Sequence, residues 1–211
     1  MAWEAWLTFL GAAIIIAVFP GPGAIQSMAT GLTHGVRRGY WSIFGLETGL
    51  MLQLALVAVG LGAAVANSIV VFTVIKWVGV AYLAYLALRQ WRTVTHDLRE
   101  QMGRSVEGGR AALWVRGFLV NATNPKGLAF FLAVMPQFVV PTAPLTPQYV
   151  TIGATMIAVD LVVMGLYTGL SARLLGWLNS PRQQTIANRM FSGLFAATAV
   201  ALSLLRRAAT A

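Results

Sequence analysis

The chain has 211 residues, of which 58% are hydrophobic and 10% are charged, and its net charge is +9. A soluble domain usually has about 25% charged residues, so the composition predicts an integral membrane protein without a large soluble domain. The chain has no cysteine and only two histidines, His34 and His96, both in polar connecting segments. We therefore expect no disulfide, no thiol nucleophile and no metal site in the membrane.

Six apolar stretches approach the roughly 20 residues that an α-helix needs to cross a bilayer. They predict membrane spans at about 4–33, 39–66, 68–91, 111–140, 148–176 and 185–206. The first stretch lacks the basic region and the cleavage site of a secretory signal, so we interpret it as a retained helix. We predict one membrane domain over residues 1–211, in which a polar connection at about 92–110 separates two halves, about 1–91 and about 111–211.

Two short breaks interrupt the first and the fourth span. The first break is FPGPG, Phe19 to Gly23, and the second is NATNPKG, Asn121 to Gly127. Proline removes a backbone donor and glycine adds backbone freedom, and an unpaired backbone group in hydrocarbon costs several kcal/mol. Such breaks are tolerated only inside protein or beside a water-filled cavity. Two breaks at matching places therefore predict a transporter whose substrate site lies between two related halves.

The two halves also match in other residues. Three pairs repeat, namely Pro20 and Pro125 at an offset of 105, Glu47 and Asp160 at 113, and Lys76 and Arg189 at 113. The offset increases from 105 to 113 residues, and the difference equals the length of a proline-rich link, Pro141 to Gln148. Pro22 is an equal candidate for the partner of Pro125. Because each half has three spans, the halves must be inverted in the membrane. We predict an all-α fold of six transmembrane helices in two inverted three-helix repeats, with helices one and four broken.

Basic residues concentrate on one side of the predicted spans. That side carries Arg37, Arg38, Arg89, Arg92, Arg99, Arg104, Arg110, Arg116, Arg173, Arg182 and Arg189. Because cytoplasmic connections are enriched in lysine and arginine, both termini are predicted outside and the long connection in the cytoplasm. The exceptions are Lys76 near a span end and Arg206 with Arg207 at the C-terminus. The positive charge thus indicates topology and contact with anionic lipid, and not nucleic-acid binding.

Three ionisable residues lie deep in the predicted spans, namely Glu47, Lys126 and Asp160. An ionised acid at the bilayer centre costs about 2.5–3.5 kcal/mol on insertion scales. Burial disfavours the charged form of a carboxyl and a nearby cation favours it, so we predict that Asp160 and Glu47 couple transport to protons. The alternative for the acids is a static interhelical hydrogen bond or salt bridge. Lys126 could pair with either acid, attract a substrate carboxylate or hold the broken helix.

The predicted substrate site combines both breaks with polar residues of the neighbouring spans. It comprises Pro20, Gly21, Pro22, Gly23, Gln26, Glu47, Gln53, Asn121, Asn124, Pro125, Lys126 and Asp160. The helix that restarts after Pro22 exposes N–H groups that favour an anion such as a carboxylate. Asn121 and Asn124 either line the cavity or cap backbone groups freed by the break. Tyr167 is a further candidate for the cavity wall, and the GxxxG pair Gly45 and Gly49 predicts close helix packing.

Five stretches resemble the LysE/RhtB family of amino-acid exporters and, within it, the homoserine/homoserine-lactone efflux proteins. They are FPGPGAIQSMATGLTHG (19–35), GLETGL (45–50), KWVGVAYLAYLALRQWR (76–92), FLVNATNPKGLAFFLAVMPQFV (118–139) and VDLVVMGLY (159–167). The resemblance implies a bacterial inner-membrane exporter of homoserine, its lactone or threonine, driven by proton exchange and without a cofactor. The site residues that it implies are Pro20, Gly21, Gly23, Asn121, Asn124, Pro125, Lys126 and Asp160.

Two positions depart from the family pattern. Relatives often have glutamine where this chain has Glu47 and histidine where it has Gln53, so Asp160 is the stronger candidate for the proton carrier. The alternatives are an exporter of leucine, basic amino acids or cations, a passive channel, or an intramembrane enzyme. The sequence lacks HExxH, a cysteine nucleophile and a serine nucleophile with its base, which favours a transporter. The expected partners are a small amino acid and membrane lipid, with homo-oligomers left open.

Overall fold

A computed structural model describes residues 1–67, 69–92, 108–140, 142–171, 173 and 181–204. Every regular element in these ranges is an α-helix, which confirms the all-α prediction. The helices are α1 (Trp3–Val18), α2 (Pro22–Asn67), α3 (Ile69–Arg92), α4 (Arg110–Ala122), α5 (Pro125–Phe138), α6 (Leu145–Gly169) and α7 (Pro181–Leu204). The predicted features that lie outside the described residues are Ser68, most of the long connection with His96, Arg99 and Arg104, the side chain of Lys76, Pro141, and Arg206 with Arg207.

Both predicted breaks are present, and each is short. Helix α1 ends at Val18 and α2 begins at Pro22, whereas α4 ends at Ala122 and α5 begins at Pro125. Helices α4 and α5 meet at an angle of 49°. Proline is favoured at the first position of a helix because that N–H has no intrahelical partner. Pro22, and not Pro20, therefore occupies the position that Pro125 has in the second half.

The predicted connection between the first two spans is a single bend at Gly35. Gly35 has φ 72° and ψ 172° inside an otherwise helical α2. A positive φ carries little steric cost for glycine, which has no Cβ. We name the part of α2 before the bend α2a, residues 22–34, and the part after it α2b, residues 36–67.

The proline-rich link is shorter than the sequence prediction. Helix α6 begins at Leu145, so Gln148 lies inside the helix and not in the link. Proline is tolerated in the first turn of a helix, which allows Pro147 to belong to α6. The Gln148 side chain accepts a hydrogen bond from the Val140 N–H at 2.8 Å and donates to the Pro144 carbonyl at 3.0 Å. Gln148 thus folds the link back onto the start of α6.

Several described helices are long and apolar enough to support insertion into a membrane. Residues 22–60 of α2 and the whole of α6 are long and apolar enough to cross a membrane, and the bent pair of α4 and α5 makes a third such segment. Helix α1 is apolar but has only 16 residues. Within the described ranges, the fold is therefore an all-helical membrane protein with two or three segments that satisfy this test.

Glycines allow α2b to pack directly on α4. A Cβ added at Gly45 would collide with the Trp114 carbonyl oxygen, and one at Gly49 would lie 2.6 Å from the carbonyl oxygen of Phe118. Backbone atoms of a packed helix cannot move away as a flexible side chain can. The GxxxG pair therefore serves close helix packing, as predicted. Helix α2 also packs on α6, and α3 packs on α7.

Three apolar clusters form the described core. The first apolar cluster joins α1, α2b, α5 and α6 and consists of Phe9, Ala13, Ile16, Leu50, Leu54, Val57, Phe130, Phe131, Met135, Ile152 and Met156. The second apolar cluster joins α2a, α2b and α6 and consists of Ala24, Met28, Ala29, Ile43, Leu46, Met164 and Tyr167. The third apolar cluster joins α3, α5 and α7 and consists of Ala87, Ala129 and Ala199.

Substitution of Gly45 by alanine is expected to destabilise the α2b–α4 contact. The added methyl group would meet the backbone of α4, and overpacking of this kind costs about 1–3 kcal/mol. Gly60→Ala is the matched control, because it lies in the same helix and an added Cβ would meet no atom within 4 Å. Thermal unfolding in detergent should show a lower midpoint for Gly45→Ala and an unchanged or slightly higher one for Gly60→Ala. Equal midpoints for the two variants would contradict the packing account.

Candidate functional site

A cavity of about 50 Å³ lies between the two breaks. One water needs about 10–15 Å³ on this measure, so the cavity has room for a few waters or one small organic molecule. Its wall comes from α1, α2, α4, α5, α6 and the break after α1. The lining residues are Ile16, Ala17, Gly21, Gly23, Ala24, Leu46, Leu50, Asn121, Asn124, Lys126, Gly127, Phe130, Met156, Asp160 and Met164.

The structure brings half of the predicted site residues to this cavity. Those that line it are Gly21, Gly23, Asn121, Asn124, Lys126 and Asp160. The predicted residues that do not line it are Pro20, Pro22, Gln26, Glu47, Gln53 and Pro125. The breaks, the lysine and one of the acids thus converge, and the remaining residues lie in the layer around them.

Lys126 joins the two breaks. Its Nζ donates a hydrogen bond to the carbonyl oxygen of Phe19 at 2.6 Å. A Cβ added at Gly21 would lie 3.2 Å from the Lys126 Cδ, so the lysine stem passes close to the first break. The ammonium is also an electrostatic neighbour of Asp160. A side chain from the second break is therefore hydrogen-bonded to the backbone of the first break.

Asp160 is the acid that faces the cavity. It lies in the middle of α6, the residue is 8% exposed, and it lines the cavity beside Lys126. Glu47 on α2b is 6% exposed, and neither of its carboxylate oxygens has a hydrogen-bond partner among the described residues. The two acids interact electrostatically. Unpartnered buried carboxyl groups are costly, and inside a membrane protein they indicate function.

The two asparagines of the second break are hydrogen-bonded to each other and to backbone groups. Asn124 is the N-cap of α5, and its Oδ1 accepts a hydrogen bond from the Lys126 N–H at 3.0 Å. Its Nδ2 donates to the Asn121 Oδ1 at 3.1 Å, and the Asn121 Nδ2 donates to the carbonyl of Leu46 in the neighbouring helix α2b at 2.8 Å. Asn124 therefore has the capping role. Both residues also line the cavity, which is the other role that the sequence left open.

The two glutamines of the predicted site also bond within the protein. The Gln53 Nε2 donates to the Asn124 carbonyl at 2.8 Å and to the Ala122 carbonyl at 3.3 Å, so Gln53 satisfies backbone acceptors freed by the second break. The Gln26 Nε2 donates to the Ser42 hydroxyl at 3.1 Å and to the Thr30 hydroxyl at 3.2 Å. Gln26 thus links α2a to α2b, and it does not line the cavity.

Backbone N–H groups at the two helix starts point to an anion site. Gly23, Ala24 and Gly127 lie in the first turns of α2 and α5, where N–H groups have no acceptor within their own helix. All three residues line the cavity. Free N–H groups and the positive end of the helix dipole favour a negative charge. The cavity therefore offers an anion-binding end near Lys126 and one carboxylate, Asp160.

The sequence prediction missed the apolar wall of the cavity. Met156 and Met164 lie four residues before and after Asp160, and Leu46 and Leu50 are also four apart. Residues spaced by four share one face of a helix, so the face that carries Asp160 could have been followed to both methionines. Tyr167, which was a candidate for the wall, instead donates a hydrogen bond from its hydroxyl to the Val18 carbonyl at 2.6 Å.

Several known proteins are similar to this chain in sequence over most of its length. The family of LysE type translocators matches residues 14–206. A homoserine/homoserine lactone efflux protein of Salmonella typhi is 38% identical over 208 residues, which cover 99% of this chain and 100% of the relative. An uncharacterized membrane protein of Vibrio cholerae is 37% identical, with 90% and 92% covered, and a leucine efflux protein of Klebsiella pneumoniae is 30% identical, with 64% and 63% covered. No solved structure matches the chain.

Proposed function

Because the chain belongs to the LysE family of translocators, we propose that it exports small amino acids across a bacterial inner membrane, with homoserine, homoserine lactone and threonine as cargo. Homoserine and its lactone appear in the name of a relative that is 38% identical over nearly the full length. Threonine is added because it is an isomer of homoserine and carries the same charges. Leucine appears in the names of more distant relatives and is the second candidate.

The cavity between the two breaks is the proposed substrate site. The observation that carries this proposal is the convergence of Lys126, Asp160 and free backbone N–H groups on one cavity. The substrate carboxylate binds at the helix starts, beside Lys126, because cations and helix N-termini favour an anion. The substrate ammonium binds Asp160. An α-amino acid presents these two charges close together, which suits the size of the cavity.

Alternating access of two inverted repeats is the proposed transport mechanism. In this arrangement α1 corresponds to α4, α2a to α5, α2b to α6, and α3 to α7. Reciprocal contacts support it, since the Trp6 Nε1 of α1 donates to Thr155 on α6, and Asn121 of α4 donates to Leu46 on α2b. Residues of the first and of the second apolar cluster line the cavity. Opening one cluster at a time exposes the site to one side of the membrane.

Protons are the proposed coupling ion. A substrate ammonium and a proton both neutralise the Asp160 carboxylate, so they compete for one group. Glu47 lies beside Asp160 without a hydrogen bond in the described part of the chain and provides a second proton acceptor. A proton that enters from outside therefore displaces the substrate ammonium outward and restores the empty site for the next cycle.

The basic residues support an orientation with both termini outside and the long connection in the cytoplasm. Arg37, Arg38, Arg110 and Arg173 are exposed at helix ends on the proposed cytoplasmic side. The chain has no cysteine, so single cysteines can be introduced there and at the exposed Ala2 without background. Labelling by an impermeant maleimide from outside should modify the cysteine at position 2 and spare those at the arginines. The reverse pattern would overturn the orientation.

Export from cells and from proteoliposomes tests the function. Cells that lack their own homoserine exporters should regain resistance to external homoserine when they express the chain. Proteoliposomes loaded with labelled L-homoserine should release it faster than protein-free vesicles of the same lipid that carry the same load. Protein that is folded and inserted, but moves neither homoserine, threonine nor leucine, would refute amino-acid export. Release of unrelated small solutes at the same rate would indicate a passive channel.

A further inference from the structure

In each broken pair, the first helix ends at a carbonyl that accepts a hydrogen bond from the other half of the chain. The Tyr167 hydroxyl on α6 donates to the carbonyl of Val18, the last residue of α1, at 2.6 Å. The Gln53 Nε2 on α2b donates to the carbonyl of Ala122, the last residue of α4, at 3.3 Å, and to the Asn124 carbonyl at 2.8 Å. The last carbonyls of a helix have no N–H partner within that helix, so both side chains stabilise backbone groups at the breaks.

The internal repeat relates the Tyr167 bond to the Gln53 bonds. Val18 and Ala122 are 104 residues apart, and Gln53 and Tyr167 are 114 residues apart. Both separations are within one residue of the offsets of 105 and 113 that relate the breaks and the buried acids. The long middle helix of each half therefore donates to the broken helix of the other half, and such reciprocity is expected of an inverted repeat.

Helices α2b and α6 run in opposite directions where they pack against each other. A Cβ added at Gly165, late in α6, would lie 2.7 Å from the hydroxyl oxygen of Tyr40, early in α2b. A Cβ added at Gly153, early in α6, would lie 3.1 Å from a methyl group of Leu54, in the later part of α2b. The C-terminal parts of the two helices therefore extend to opposite sides of the molecule.

The Tyr167 bond and the Gln53 bonds consequently lie on opposite sides of the two buried acids. Gln53 follows Glu47 by six residues and Tyr167 follows Asp160 by seven, and each separation is about 10 Å along a helix at a rise of about 1.5 Å per residue. The acids themselves interact electrostatically and so mark one level of the molecule. In the proposed orientation α6 ends at the cytoplasmic side and α2b ends at the outer side. The Tyr167 bond is then cytoplasmic of the acids, and the Gln53 bonds are on their outer side.

We propose that Tyr167 and Gln53 are positioning residues of the transport cycle, each of which holds one side of the cavity closed. The Tyr167 bond holds the first broken pair against α6 and closes the cytoplasmic side, and the Gln53 bonds hold the second broken pair against α2b and close the outer side. Each breaks when the cavity opens to its own side. The proposal rests on the proposed alternating access and names the two side chains that set the balance between the two open states.

Removal of either donor should shift the protein toward the state that is open on the same side. In the closed state the carbonyl would lose its donor inside the protein, whereas in the open state water reaches the carbonyl and donates to it. The net contribution of one hydrogen bond corresponds to a change of about two- to tenfold in an equilibrium constant. Because the two bonds lie on opposite sides of the acids, the two shifts should have opposite directions.

Accessibility of the cavity from each side of the membrane tests the proposal. The chain has no cysteine, so Ala17→Cys and Met156→Cys, two buried positions of the cavity wall, serve as separate reporters. A membrane-impermeant thiosulfonate reaches them from outside in spheroplasts and from the cytoplasmic side in inverted membrane vesicles. Tyr167→Phe, which removes only the hydroxyl, should raise the ratio of cytoplasmic to outer labelling rates about two- to tenfold at both reporters. Gln53→Met, which removes the donor at nearly constant size, should lower this ratio at least about twofold.

Two further variants separate this role from a merely structural one. Tyr40→Phe removes a tyrosine hydroxyl from the same α2b–α6 contact but away from the breaks, and it should leave the labelling ratio unchanged. The double variant Tyr167→Phe with Gln53→Met should be the least stable, yet its ratio should return to within about twofold of the parent, because the two shifts oppose each other. A structural role alone would lower the unfolding midpoint without moving the ratio in opposite directions.

The outcome for the single variants decides the proposal. No shift in either variant, or shifts toward the same side, in protein that still exchanges labelled L-homoserine would overturn the role of Tyr167 and Gln53 and leave the proposed function intact. Absence of any amino-acid exchange by the parent chain would instead overturn the proposed function.

Discussion

Asp160→Asn is expected to abolish pH-gradient-driven export of L-homoserine. The variant should fold but be less stable, because Lys126 loses its neighbouring carboxylate. The substitution keeps the size of the side chain and removes the only carboxylate among the described residues that line the cavity. The substrate ammonium then has no counter-charge, and loss of one partner of a buried charge pair costs about 2–5 kcal/mol. This corresponds to a loss of affinity of at least about 30-fold. The proton also loses its binding group, so the coupling to the gradient disappears together with binding.

Glu47→Gln is the matched comparison for Asp160→Asn. Glu47 is as buried as Asp160 but does not line the cavity, so exchange of labelled homoserine for unlabelled homoserine should persist when Glu47 is neutral. The pH dependence of this exchange should change, because Glu47 interacts with Asp160. Coupled export that survives in Asp160→Asn would refute the role of Asp160. Equal loss of exchange in both variants would show that the two acids bind the substrate jointly.

Lys126→Gln is expected to abolish transport and also to destabilise the protein. The substitution leaves Asp160 buried without its neighbouring cation and removes the donor to the Phe19 carbonyl. Breaking a buried charge pair by removing one partner costs about 3–5 kcal/mol, whereas neutralising both partners is often neutral or stabilising. The double variant Lys126→Gln with Asp160→Asn should therefore recover much of the lost thermal stability.

The double variant decides between a structural and a functional role of the two charges. If they hold the substrate, the double variant is folded and stable but moves no homoserine, because the carboxylate and the ammonium have both lost a partner. If they form only a structural pair, restored stability brings back transport. The pair of measurements is the unfolding midpoint in detergent and the rate of homoserine exchange in proteoliposomes. Recovery of both in the double variant would contradict the proposed binding mode.

Features that depend on local chemistry could be predicted from the sequence. The breaks followed from proline and glycine inside apolar stretches, and the structure places them at Phe19–Gly21 and at Thr123 with Asn124. The position of Asp160 at a cavity could be expected from an acid in an apolar span, which is tolerated where it faces protein or a cavity. Spacing within one half could not decide between Pro20 and Pro22 as the partner of Pro125. That decision depends on where the helix restarts, which the structure shows at Pro22.

Features that depend on helix rotation could not be predicted. Gln26 and Gln53 are both polar residues in apolar spans, and the sequence assigned both to the substrate. Gln53 turns to the carbonyls of the second break and Gln26 to Ser42. Which way such a side chain points depends on how each helix is rotated about its axis against its neighbours, and the polar character of a single residue in an apolar span contains no information on that rotation. The role of Gln148 could not be predicted either. Its side chain donates to carbonyls of the proline-rich link, and the sequence prediction placed Gln148 inside that link and not in α6.

The movement of protons together with homoserine tests the central claim most directly. Proteoliposomes loaded with L-homoserine and a pH-sensitive dye are placed in a more acidic medium, with the membrane potential clamped by potassium and valinomycin. The account predicts that homoserine leaves faster than without the pH difference and that the interior acidifies only in vesicles that contain both the protein and homoserine. Homoserine efflux at the same rate with and without the gradient, and without internal acidification, would contradict proton-coupled export through this site.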